Sequence, residues 1–542
     1  RGPVLYQRVH AMPLINQQAT RAGILATIEQ TATHARPQDT VIVFLAGQGV
    51  LLGQHYYFLP QDFAHGTTDL EKDIRQHGIL AADIGAAISA IPALKRLLIM
   101  DTCQSGTPLA VGRTTRNPFT LRGTIERLGR AEGTFTIAAF AAAATVEDVP
   151  DLGHGVLTYT LLAGLRAVQS GPLTDLWIQS SGDEHVAYVL PWFSFATAQV
   201  PQLTSRYFGQ QEDVQHICAG MSFPVLPVPT GKAAKMDPVP TAALPRPDAE
   251  SPVATTVVRS KQPGGTGDLY LLSVGVNRYT QGAMNLKYAA IDAKAIAELF
   301  RNRGPSLYRK VQVQEMLDTQ VTAAGVVEAV RMIAKAAGPK DTLVVFLAGH
   351  GTLVGQRYYF IPHDFRRKAD SLDDDVRSQG LAADVLGDAV ASVPALKRIL
   401  IFDTCASGGA LGVGRQGKEP FAFRGAIEQL GQHQGIFTIA ASAAGEEAQE
   451  IDTLGHGVLT YTLLSALGAA KAGPLQEQGL QPSNLQGLVD VLEWFSYASG
   501  QVPRLTKQYL GSEQDVQTSG QGTSFPVLPL ERYSSHELEK GD

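Results

Sequence analysis

Two segments in the second half of the chain hold the residues best suited to covalent chemistry: L-A-G-H-G, centred near His350, and F-D-T-C-A-S-G, containing Cys405. A cysteine thiol is mostly protonated near neutral pH, and an imidazole within hydrogen-bond reach can take that proton and later hand it to a leaving amine. The natural reaction of such a pair is acyl transfer. Glycines at 349 and 351 let the backbone turn beside a substrate, and small residues after Cys405 leave N–H groups to face an oxyanion. The first half repeats both segments as L-A-G-Q-G and M-D-T-C-Q-S-G. There Gln48 cannot accept a thiol proton, which leaves Cys103 without a base. Asp403 stands two residues before Cys405, so the two share a face of one strand. A carboxylate there raises the thiol pKa and discourages attack, so its better use is to neutralise a cationic substrate side chain such as Arg or Lys.

The runs that must position these residues are apolar and of strand length. T-L-V-V-F-L-A (342–348) precedes His350 and R-I-L-I-F (398–402) precedes Cys405, with I-F-T-I-A-A-S as a third. V-Q-V-Q-E-M-L predicts a further strand, and 322–336 a helix with Val326, Val327, Val330 and Ile333 on one side. L-A-A-D-V-L-G-D-A-V, G-H-G-V-L-T-Y-T-L-L-S-A-L and L-Q-G-L-V-D-V-L-E-W-F have helical spacing, so the fold class is α/β with a mostly parallel sheet. Ligands bind such sheets beyond the carboxyl ends of the strands, where His350 and Cys405 would meet.

Self-similarity organises the whole chain. R-G-P-V-L-Y from Arg1 pairs with R-G-P-S-L-Y from Arg303, and S-F-P-V-L-P recurs at Ser222 and Ser524, with a constant offset of 302 that also relates Cys103 to Cys405. Two tandem domains are expected: 1–227, a proline- and alanine-rich linker 228–267, and 268–530, followed by a polar tail 531–542. The strand L-Y-L-L-S-V-G-V-N from Leu269 and the helix A-A-I-D-A-K-A-I-A-E-L-F have no counterpart in the first copy, so the first domain should lack an N-terminal strand and helix, as if trimmed from a longer parent. With 542 residues and 44% hydrophobic content the chain can bury two cores; a net charge of -6 without long single-sign runs gives nucleic acid or an anionic membrane nothing to grip. Three cysteines make no disulfide framework. No apolar stretch reaches the roughly 18 residues of a membrane helix.

The order strand-G-H-G, then strand-D-x-C-x-S-G 55 positions on, resembles the caspase/metacaspase class of cysteine peptidases. L-K-Y-A-A-I-D-A, Y-Y-F-I-P-H-D-F and H-G-V-L-T-Y-T-L-L resemble further family blocks in the family's order. The resemblance implies two caspase-like α/β/α sandwich domains and a cysteine endopeptidase. His350 would be its general base, Cys405 its nucleophile, and the N–H groups of Gly351 and Cys405 its oxyanion hole. D-T-C is similar to metacaspases and bacterial relatives, which implies that Asp292 and Asp403 hold a basic P1 residue and that Ser442 lies along the substrate cleft. Ala289 and Ala348 depart from that group's pattern. In the first copy Gln48, Cys103 and Phe140 (in place of Ser442) imply a degenerate, regulatory pseudo-protease able to pair with the active domain. His154 and His456, present in both copies, are expected to be structural, and Cys218 carries no hypothesis.

No cofactor is required by this chemistry. The resemblance raises calcium, with Asp364, Asp370, Asp373, Asp374 and Asp375 as oxygen donors, although a solvated acidic loop has the same composition. Arg415, Lys418 and Arg424 after the nucleophile, and Lys232, Lys235, Arg246, Arg259 and Lys261 in the linker, would suit self-cleavage. Expected partners are protein or peptide substrates, with neither nucleic acid nor membrane. Few cysteines and the family resemblance point to a bacterial, cytoplasmic protein, with the true N-terminus missing and secretion left open. A catalytically silent scaffold of two such folds is the competing expectation.

Overall fold

The computed structural model describes residues 5–52, 55–64, 69–104, 134–142, 152–178, 186–209, 214–228, 267–355, 357–368, 371–406, 435–442, 451–480, 487–511 and 513–530. In chain order the strands are β1 (Thr40–Leu52), β2 (His55–Leu59), β3 (Ile79–Leu80), β4 (Lys95–Gln104), β5 (Thr134–Ala142), β6 (Val186–Tyr188), β7 (Val214–Gly220) and β8 (Pro224–Pro227). They continue with β9 (Leu269–Gly275), β10 (Val311–Leu317), β11 (Thr342–Val354), β12 (Arg357–Phe360), β13 (Leu381–Ala382), β14 (Lys397–Ala406), β15 (Ile436–Ser442), β16 (Leu488–Asp490), β17 (Asp515–Gly522) and β18 (Pro526–Pro529). The helices are α1 (Arg21–His34), α2 (Leu70–His77), α3 (Ala81–Ser89), α4 (Val156–Gly164), α5 (Val189–Phe208), α6 (Ala289–Arg303), α7 (Ala323–Ala336), α8 (Leu372–Gln379), α9 (Ala383–Ala391), α10 (Val458–Ala466) and α11 (Val491–Leu510).

In the second half β10, β9, β11, β14 and β15 run parallel and β17 closes the row antiparallel. Every residue of β9 is buried, and alternate side chains feed two cores: Leu269 and Leu271 pack with α6, whereas Leu272 and Val274 pack with α7 and α9. This two-faced burial is why the strands read as unbroken apolar runs, and it makes the expected α/β/α arrangement. α7 starts at Thr322, whose hydroxyl accepts from the Gly325 N–H, and buries Val326, Val327, Val330 and Ile333.

The first half repeats the order β5, β4, β1 in parallel, with β7 antiparallel beside β5. β17 and β7 then pair antiparallel, so the described residues form one 14-stranded sheet. The register couples Thr518 with Gly220, Gly520 with Cys218 and Gly522 with His216. Cys218 and Gly520 are equivalents at the 302 offset, so a pseudo-two-fold axis passes through a residue meeting its own counterpart. A Cβ at 520 would come within 2.6 Å of Phe437, so the second half takes glycine where the first half carries Cys218. α5 also packs against α11 across this junction.

Two expectations about elements differ from the fold. β11 and β14 do not stop at 348 and 402; they run on through His350 and Cys405, because the backbone ladder tolerates the polar and glycine residues that seemed to end them. L-Q-G-L-V-D-V-L-E-W-F is not one helix: Leu488–Asp490 pairs with β18, and α11 begins at Val491 under an Asp490–Glu493 capping box. The linker lies outside the described residues except for Val228 and Gly267 at its ends, and the polar tail lies outside them entirely.

Candidate active site

Residues 342–351 of β11 pair residue for residue with 397–406 of β14, and in that register His350 faces Cys405. Register partners on adjacent parallel strands lie about 4.8 Å apart and on the same side of the pleat. The two backbone positions are therefore immediate neighbours. The Cys405 side chain lies outside the described residues, as do those of Cys103, Phe140 and Ser442, the last sitting at the end of β15 opposite Asp515. The segment holding Arg415, Lys418 and Arg424 is also outside them.

His350 is 2% exposed. Its backbone N–H donates to the Tyr279 hydroxyl at 2.8 Å, the Tyr279 ring lies 5.0 Å from the imidazole, and Nε2 is 2.8 Å from the Met284 carbonyl. A carbonyl oxygen only accepts, so Nε2 carries the proton and the neutral ring has its lone pair on Nδ1. Burial lowers the His350 pKa, partly offset by the Met284 bond, and keeps the ring in its basic, neutral form. Tyr279 and Met284 lie in the stretch after β9, which the sequence marked only as a strand followed by a helix.

Gly351 pairs with Ala406 and Phe360. A Cβ there would fall 1.8 Å from the Tyr358 hydroxyl, which is hydrogen-bonded to Thr404. In the first half a Cβ at Gly49 would fall 1.7 Å from the Tyr56 hydroxyl, itself bonded to Thr102 at 2.5 Å. Packing alone thus requires glycine at this position in both copies. The repeated D-T-C and Y-Y-F motifs carried that signal.

Asp292, in the first turn of α6, and Asp403, on β14, converge on the start of α10. Asp292 accepts from His456 Nδ1 at 2.7 Å and from the Gly457 N–H at 3.0 Å; Asp403 accepts from the Thr460 N–H at 2.9 Å and from its hydroxyl. A Cβ on Gly457 would lie 2.6 Å from Asp403 Oδ2 and 3.1 Å from Asp292 Oδ2, which measures how tightly the two carboxylates gather there. Burial, and then the negative charge of Asp403, push the Asp292 pKa up to about 7 against the opposing His456 bond. His456 is thus a direct partner of Asp292. In the first half Asp101 makes the same bonds to Thr158, at 2.9 Å to its N–H and also to its hydroxyl, so this aspartate ties down the helix start in both copies.

Among the acids weighed for calcium, Asp370 lies outside the described residues. Asp375 is buried and accepts from the Lys368 N–H at 2.8 Å and from Gln379 at 3.3 Å. Among the described residues no three His, Cys, Asp or Glu side chains gather as metal ligands. Gln48 is register partner to Cys103 in β1 and β4, but it is exposed where His350 is buried.

A neutral histidine in register with a cysteine position at the carboxyl edge of a parallel sheet, with two carboxylates gathered on the same strand and the neighbouring helix, is an arrangement suited to cysteine-dependent hydrolysis. Residues 270–509 match the family model of the caspase domain, peptidase C14, a family of cysteine peptidases. The chain is also similar to the crystal structure of protein GSU0716 from Geobacter sulfurreducens, at 14% identity and a TM-score of 0.31 over 49% of this chain and 98% of that one. No curated protein matches it. Among the described residues no helix is long and apolar enough to cross a membrane.

Proposed function

We propose that the second half of the chain is an endopeptidase that cuts after Arg or Lys through His350 and Cys405, with the first half an inactive partner. The observation that carries it is the His350–Cys405 register, together with an imidazole whose Nε2–H is committed to Met284. Nδ1 takes the thiol proton as sulfur attacks the scissile carbonyl carbon. The imidazolium returns that proton to the departing amine as the C–N bond breaks, and water then hydrolyses the thioester. Backbone N–H groups at 351 and 405 would stabilise the tetrahedral oxyanion.

Asp292 and Asp403 give the basic P1 preference its support. Two carboxylates converging on one glycine repel each other, and a guanidinium or ammonium entering beside them relieves that repulsion. An Asp side chain would worsen it.

The first half lacks the base, since Gln48 stands in the place of His350. Its pairing through β7 and β17 suits a regulatory, intramolecular partner that holds the edge of the active sheet. Hydrolysis of fluorogenic peptides ending in Arg, Lys or Asp tests these assignments. Activity on Arg and Lys peptides should vanish in Cys405→Ala and persist in Cys103→Ala. Cleavage surviving Cys405→Ala, or a preference for Asp, overturns them. Activity that persists in chelator would exclude a calcium requirement.

A further inference from the structure

His350 is gripped by a loop that leaves β9, and that loop is held in turn from the end of β10. At the carboxyl edge of the sheet Gly275 pairs with Leu317 on one side and Ala348 on the other, so the residues that follow each of them emerge side by side. Val276 donates to the Ala348 carbonyl at 3.1 Å. The next two N–H groups, of Asn277 and Arg278, both donate to Oδ1 of Asp318 at 2.8 Å. Leu286 N–H returns to the Asn277 carbonyl at 2.8 Å and Tyr279 N–H reaches Asn285 Oδ1 at 2.8 Å, so 277–286 closes on itself. From inside this loop Tyr279 and Met284, both buried, supply the acceptors for the backbone N–H and the Nε2–H of His350.

We propose that Asp318 is a positioning residue for His350: one carboxylate oxygen anchors the start of the loop, and the loop presents the Tyr279 hydroxyl and the Met284 carbonyl that orient the imidazole. This deepens the reading of His350 as the base and rests on it. Asp318 has a φ of 48°, in the left-handed region that short polar side chains tolerate. Its counterpart at the 302 offset, Asn16, has a φ of 51°, so the bend is common to both halves and does not by itself call for an acid. What the carboxylate adds is an acceptor for two successive N–H groups, and hydrogen bonds to a carboxylate are stronger than those between neutral groups. Thr280 keeps a second tie, its N–H and hydroxyl both donating to the His363 carbonyl at 3.0 Å. Loss of the Asp318 oxygen therefore shifts the loop rather than releasing it, and the imidazole loses the contacts that fix which of its nitrogens carries the proton.

The test uses two variants of the full chain: Asp318→Gly keeps the left-handed bend and removes the oxygen, whereas Asp318→Asn keeps both. A displaced base forfeits part of the about 100-fold or more that a positioned one supplies. For Arg peptides kcat should therefore fall about tenfold or more in Asp318→Gly, with KM within about twofold, and Asp318→Asn should stay within about threefold of the unaltered chain. Unchanged kinetics in Asp318→Gly, an equal loss in both variants, or a rise in KM at constant kcat overturns the proposal. The Nε2–H resonance of His350 in histidine-labelled protein, assigned by its loss in His350→Gln, gives a readout free of catalysis. It should exchange with water about tenfold faster or more in Asp318→Gly and keep its rate in Asp318→Asn; an unaltered rate in Asp318→Gly overturns the proposal equally. A chain that cuts no peptide would strike the peptidase reading and leave this resonance to decide the role of Asp318. Should Asp318→Gly fail to fold, amide exchange at Asn277 and Arg278 of the unaltered chain decides: slowing of about 100-fold or more supports the anchor, and free exchange overturns it.

Discussion

At the scale of single residues, the site depends on where protons rest. Nε2 of His350 is held as a donor by Met284, so Nδ1 is the basic atom and burial keeps it unprotonated at neutral pH. Asp292 behaves oppositely: with its pKa pushed up to about 7, it is half neutral at pH 7 and gains charge as pH rises. On the proposed pairing of that charge with a basic P1 residue, KM for Arg peptides should fall as pH goes from 6 to 8, a window in which the ionised fraction of such a group rises about tenfold. Asp292→Asn should flatten this dependence and raise KM, and steady-state kinetics across that range will check both. That His350 and Cys405 would lie side by side was legible from residue type and spacing, and Asp292 entered as a candidate through the family resemblance. The His456 contact was not, because a histidine retained in both copies reads as structural when its partner lies 164 residues away on another helix.

At the scale of elements, α10 is the hinge between architecture and specificity. Its first turn is held by carboxylates from β14 and α6, so the helix start and the candidate P1 acids are fixed by the same bonds. Gly457→Ala drives a methyl against both carboxylates, and overpacking of this kind costs about 1–3 kcal/mol. kcat/KM for Arg peptides should therefore drop about tenfold or more. Gly155→Ala, which meets only Asp101 at 2.4 Å in the first half, should leave it unchanged, as parallel assays of the two variants will test. The parallel core strands could be read directly because burial on both faces leaves a continuous apolar signature. Leu381–Ala382 and Leu488–Asp490 could not, since two or three residues are too few for a period and their pairing is with distant segments.

At the scale of the whole molecule, the two halves share a sheet through β7 and β17, and the junction contains a titratable group with no outlet. His216 is fully buried against Phe437, and neither ring nitrogen has a hydrogen-bond partner among the described residues. Burial drives its pKa down to about 3 from an unfolded value near 6.5. Above that unfolded value it has no effect on pH-dependent stability; as pH falls towards 3 the unfolded chain takes up a proton that the folded chain excludes, and stability is lost, by roughly 2 kcal/mol at pH 5. His216→Leu should therefore raise Tm more at pH 5 than at pH 8, which calorimetry can measure. Nothing in the sequence marked His216, because its burial exists only once two units separated by 302 positions lie edge to edge.

The unlike pair at the axis has a consequence for lineage. Two copies of the first half would bring cysteine against cysteine there, and two copies of the second glycine against glycine. The junction therefore joins unlike residues at equivalent positions, and the two halves are no longer interchangeable at this seam.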